Sequence, residues 1–104
     1  MGFFSKFFSA QEGPSERQIH RALKQVTQVH GEAATRVGAM ERLASWRTPE
    51  AAAGLLRRFT VQTPQASMDL EEKQYAVKLL AQMGRVAVEP ILNFLKKCTK
   101  FHIC

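Results

Sequence analysis

Residues 75–97 read YAVKLLAQMGRVAVEPILNFLKK, and this stretch decides the fold. Its first half carries Val77, Leu80 and Ala81 at helical spacing, widened by Tyr75, Leu79 and Met83. Gly84 then stops that helix, because glycine takes the left-handed backbone that follows a helix end at no steric cost. A second helix opens near Ala87 or Glu89 and runs to about Cys98, with Ile91, Leu92, Phe94 and Leu95 on its apolar side. Pro90 falls in its first turn, where a missing N–H costs nothing. Two amphipathic helices joined at a glycine make a helical hairpin.

Working upstream, Asp69 is placed to cap the first of these helices, which spans about 70–83. Residues 60–68, TVQTPQASM, are a polar connection containing Pro64. Before it, Thr48-Pro49-Glu50 is a clean helix start, with Thr as cap, Pro at the first helical position and Glu in the first turn. That helix covers about 49–59 with Ala52, Leu55, Leu56 and Phe59 as its stripe, and another at about 33–46 carries Ala33, Val37, Met40, Leu43 and Ala44. Ser15 and Gln18 form a capping-box pattern for a helix over about 15–30, with Ile19, Leu23, Val26 and His30 in one stripe and Gly31 as its stop. Residues 1–14 stand apart as a phenylalanine-rich segment, MGFFSKFF, followed by a polar linker.

The 33–46 and 49–59 helices overlay the 70–83 and 87–98 helices at a shift of 37 residues. Ala39 falls on Ala76, Met40 on Val77, Leu43 on Leu80, Ala44 on Ala81, Trp46 on Met83 and Leu55 on Leu92. A fixed period of this length with two helices per unit is the mark of a helical solenoid. Composition agrees. Thirteen Ala and nine Leu outnumber seven Val and three Ile, and no segment alternates as a strand does, so the chain reads as all-α. With 104 residues it holds one modest core and no separate cofactor domain.

Residues 75–97 resemble a HEAT repeat: a first helix with a small Ala among its apolar positions, a Gly at the turn, and a second helix opening Val-x-Pro. The resemblance covers repeats at about 33–59 and 69–98 within a domain at 15–104. It implies a short α-solenoid of antiparallel helix pairs, with the N-terminal helix as a cap, and a binding scaffold as the role. Solenoids commonly need three or more units to bury a continuous core. Two units therefore predict a cap made by helix 15–30 and the phenylalanine segment, self-association, or a piece of a longer stack.

The residues offer little chemistry. No phosphate-cradling Gly-rich loop and no Gly-x-Ser-x-Gly elbow is present. His20, His30 and His102 are scattered, and Cys98, His102 and Cys104 match no zinc spacing. Asp69, Glu71 and Glu72 cluster at a helix start, where carboxylates serve the helix dipole. We expect no catalytic, cofactor or metal site. The N-terminus lacks a long apolar run and a cleavage site, so a cytoplasmic protein with reduced cysteines is expected.

A net charge of +6 favours an acidic partner. Phe3, Phe4, Phe7 and Phe8 fall on one side of a short helix and are the first candidate binding residues. Arg57, Arg58, Lys96 and Lys97 close the two second helices and are the others, since parallel stacking brings them to one edge. The expectation is a non-catalytic adaptor for a protein with an acidic face. The alternatives are a peripheral membrane protein docking through the phenylalanines and, behind it, a nucleic-acid binder, whose charge is normally more concentrated.

Overall fold

The structure, a computed structural model, describes residues 14–101. It is all-helical, and no strand occurs among the described residues. Among the described residues five α-helices follow one another: α1 (Glu16–Val26), α2 (Ala33–Trp46), α3 (Pro49–Leu56), α4 (Ala66–Met83) and α5 (Val88–Phe101). A 3-10 turn, Arg57–Thr60, extends α3, and another, Gly84–Ala87, joins α4 to α5. The phenylalanine segment lies outside the described residues.

The helix starts follow the caps read from the sequence. The Gln18 N–H donates to Ser15 Oγ at 3.2 Å and the Ser15 N–H to Gln18 Oε1 at 2.8 Å, the reciprocal pair of a capping box. The Ala51 N–H donates to Thr48 Oγ1 at 3.1 Å, one residue after Pro49 and Glu50 in the first turn.

Two boundaries differ from the sequence reading. Helix α1 ends at Val26, well short of His30. The loop that follows is held by a side chain from the next helix: Arg36 Nη1 donates to Gln28 O at 3.0 Å and to Gly31 O at 2.7 Å. Helix α4 begins at Ala66 rather than after Asp69, and its N-cap, Gln65, makes no side-chain cap bond. Asp69 is not a cap because its carboxylate is engaged in the interior. Gly84, at φ +70°, ends α4 as expected.

Helix α3 is the centre of the fold, packed on all four other described helices, α4 included, while α2 packs on α1, α3 and α4. Helix α3 packs on α5 as well as on α1. First helix thus lies on first helix, and second on second. Close approach comes from small residues: Ala39, Ala51, Ala52 and Ala76 are wholly buried among Met40, Leu43 and Leu55. A Cβ on Gly54 would stand 3.2 Å from Leu43 Cδ2, so the α2–α3 contact has no room for a larger residue there without a shift. Tyr75 ties α4 to α2 by donating its hydroxyl to Glu41 Oε2 at 2.5 Å; that bond, with some burial, raises the phenol's pKa.

Helices α4 and α5 do not form the packed hairpin expected of the 70–83 and 87–98 helices, because α5 packs on α3 instead. Among the described residues their backbones meet only through the turn at 84–87 and stay apart along their lengths. The apolar residues facing that gap include Val77 and Leu95, both more than half exposed.

The two halves of the repeat therefore differ in energy. Leu55→Ala is expected to cost about 2–5 kcal/mol by leaving a cavity. Leu92→Ala, at the equivalent position, is expected to cost less than about 1 kcal/mol because the side chain is already half in water. Urea denaturation of the two variants checks the contrast.

Candidate functional site

Arg58 sits on the 3-10 turn after α3, and it is fully buried. Its Nη2 donates to Asp69 Oδ1 at 2.7 Å and its Nε to Glu72 Oε1 at 3.1 Å, both acceptors on α4. Its Nη1 donates to Val61 O at 3.1 Å. Arg36 of α2 meets Glu72 from the other side as a two-pronged fork, with Nε to Oε1 at 2.7 Å and Nη2 to Oε2 at 2.9 Å. Lys73 Nζ stands 2.7 Å from Asp69 Oδ2. The Thr63 N–H adds a bond to Asp69 Oδ1 at 3.0 Å. Among the described residues no buried side-chain polar atom lacks a partner.

Among the described residues three cations thus share two carboxylates, which leaves the cluster one positive charge in surplus. Burial alone would push the Asp69 carboxyl up. Hydrogen bonds from Lys73, from the Thr63 backbone and from Arg58 outweigh it and hold the group well below the ordinary carboxylate range. For Glu72 the hydrogen bond from Arg36 is the largest influence; burial opposes it, Arg58 adds to it, and the pKa is lowered. The same bond raises the Arg36 guanidinium against the cost of its burial. Both carboxylates are held ionised, with their oxygens occupied by donors. The arrangement fixes charge in place.

This placement corrects one expected binding residue. Arg58 is not on a basic edge: it is the largest side chain in the interior, held there by Asp69 and Glu72. Arg57, Lys96 and Lys97 are exposed. Arg57 and Lys97 line one depression of about 510 Å³ over the α3–α5 contact, together with Pro49 and Pro90, while Lys96 is not part of its wall. Phe3, Phe4, Phe7 and Phe8 lie outside the described residues, as does His102. His20 and His30 are exposed. Cys98 is buried and disulfide-bonded, which corrects the expectation of reduced cysteines.

The gap between α4 and α5 forms a second depression, about 560 Å³ in volume. Its floor is Leu56 and Phe59; Val77 and Leu80 stand on the α4 side, Ile91 and Leu95 on the α5 side. The Phe59 and Phe94 rings meet within it at 6.3 Å between centroids. Among the described residues, Lys73 is the one charged residue in its wall. Periodicity had marked Val77, Leu92 and Leu95 as apolar, and in the structure they are 57%, 53% and 53% exposed. No signal in the sequence separates a stripe that is covered from one that is open.

Among the described residues, no group of three or more His, Cys, Asp or Glu is placed to hold a metal ion, and no helix is long and apolar enough to cross a membrane. Comparison with protein-family models, with curated proteins and with solved structures found no match.

The ion cluster predicts two outcomes. Glu72→Gln leaves two buried guanidinium groups short of their counter-charge and is expected to cost about 3–5 kcal/mol in urea denaturation. The acid profile follows from the lowered carboxylates. Their stabilisation is complete above the unfolded-chain values near about pH 4 and is lost as pH falls through the lower folded values. Asp69→Asn is expected to lower stability at neutral pH and to flatten the acid limb, read from melting temperatures against pH.

Proposed function

We propose that the protein is a non-catalytic, HEAT-like helical-repeat scaffold that binds a protein partner. On this reading α2–α3 and the splayed pair α4–α5 correspond to the two repeats, and α1 to the cap. One observation carries the reading. Two of the six pairs related by the 37-residue shift are buried in the first unit and open in the second: Met40 against Val77, and Leu55 against Leu92, each 0% exposed in the first case and more than half exposed in the second, whereas Ala39 with Ala76 and Leu43 with Leu80 are buried in both. The first hairpin is covered by α1 on one side and by the second hairpin on the other. The second hairpin repeats the apolar pattern with nothing packed on its open side among the described residues. In a stack of like units, that side is where the next element sits.

An apolar face flanked by polar residues is characteristic of a protein-binding surface. The candidate carboxylates support the non-catalytic part of the reading, since Asp69 and Glu72 are committed to guanidinium groups and hold no proton to transfer near neutral pH.

A photo-crosslinking residue placed at Leu92 in the full chain tests the proposal. In an extract of the source cells it is expected to give discrete protein adducts. The same residue placed at His20, exposed on α1, is expected to give none of them. Identical patterns at the two positions, or transfer of label only to lipid or nucleic acid, would overturn the scaffold reading.

A further inference from the structure

We propose that the groove between α4 and α5 is the docking site for an acidic amphipathic helix of the partner, its apolar stripe laid on Leu56, Phe59, Val77 and Leu95 and one carboxylate set against Lys73. The inference rests on the scaffold reading and names its site and the chemistry of the partner. Three observations support it.

The first is shape. Helices α4 and α5 are held apart along their lengths, and the floor of the gap is made by α3 and the turn after it. A slot walled by two helices and floored by a third is the form that receives another helix, whose contacts then recur at i, i+3 or i+4, and i+7. The open stripe on α4 has that spacing itself: Leu70, Lys73 and Val77.

The second is charge. Among the described residues the cluster sets three cations, each paired, on two carboxylates, a net surplus of one positive charge. Arg36 and Arg58 are sealed in the interior. Lys73, with a quarter of its side chain exposed, is the member that reaches water, and it does so in the wall of the apolar groove. A carboxylate arriving there completes the neutralisation of the cluster in surroundings of reduced polarity, where the attraction is stronger than on an open surface.

The third decides among occupants. Residues 1–9 are apolar enough to compete for the groove, but Lys6 is their one charged side chain and they bring no carboxylate. A second copy brings a net charge of +6 to a surface of the same sign, and the exposed stripe of α5 runs directly into Lys96 and Lys97. An acidic helix from another protein satisfies both the apolar wall and the lysine.

The test uses the full chain and two synthetic helical peptides. Each has leucines at i, i+3, i+4 and i+7, one with glutamates and the other with lysines at the flanking positions. Fluorescence titration is expected to give the glutamate peptide about tenfold or greater preference, and Val77→Glu to weaken it by about tenfold. Val77 is exposed, so this variant is expected to fold, which circular dichroism checks. Lys73→Gln is expected to narrow the preference between the peptides, and the bound peptide is expected to shift amide resonances of α4 and α5. Equal affinity for both peptides, no binding, or an affinity unmoved by Val77→Glu would each overturn the proposal. So would phosphatidylserine-containing vesicles that perturb the same amides while the peptide does not, since the face would then belong to a membrane. Leu92 adducts that form and persist in Val77→Glu would remove the groove and leave the scaffold standing. Absence of adducts together with absence of peptide binding would remove both.

Discussion

The ion cluster around Glu72 holds together elements that are otherwise separated in the chain. Arg36 comes from α2, Arg58 from the turn after α3, and Asp69, Glu72 and Lys73 from the first half of α4. A bound pair of this sort gains little over a well-packed apolar substitute, because desolvation offsets most of the attraction. Its effect is geometric. The planar fork of Arg36 meets both oxygens of Glu72, which fixes where α4 lies along α2 as well as that it lies there. The early start of α4 and the burial of its first-turn carboxylate follow from the same contacts.

Much of this architecture was legible in the residues. Ser15 with Gln18, and Thr48 with Pro49, marked two helix starts because a cap works through neighbours in sequence. Gly84 marked a stop for the same local reason. The boundaries that moved were set by distant groups. His30 was counted into α1 because its spacing fits the stripe, yet the carbonyls of that turn are bound by Arg36. Arg58 looked like one half of a surface pair with Arg57. A charge inside the protein can be foreseen only if its counter-charges are known to be near, and Asp69 and Glu72 lie 11 and 14 residues further on, across a turn. The groove was hidden for a related reason: Val77 and Leu80 share a helix and an apolar character, but one is open and the other covered.

The two hairpins show how one pattern yields two environments. In the first, Ala39, Ala51, Ala52 and Gly54 let helices close up until Met40, Leu43 and Leu55 are sealed. In the second, α4 and α5 diverge from the Gly84 turn, and the apolar residues between them line a cleft. The turn supplies the divergence, since a helical stop at positive φ followed by a short 3-10 segment sends α5 off toward α3 instead of back along α4.

The Arg36 side chain has a consequence for the order in which the molecule comes apart. Its guanidinium donates in one direction to Glu72 on α4 and in the other to the carbonyls of Gln28 and Gly31. The loop that docks α1 is therefore supported by a group whose own anchorage is on α4. The first of these elements cannot open without loosening the other, so α1, α2 and α4 make up one cooperative folding unit. Helix α5, joined through the Gly84 turn and packed on α3, takes no part in that linkage. Its packing is on α3 and on that turn, so the apolar cleft borders an element outside the Arg36 linkage.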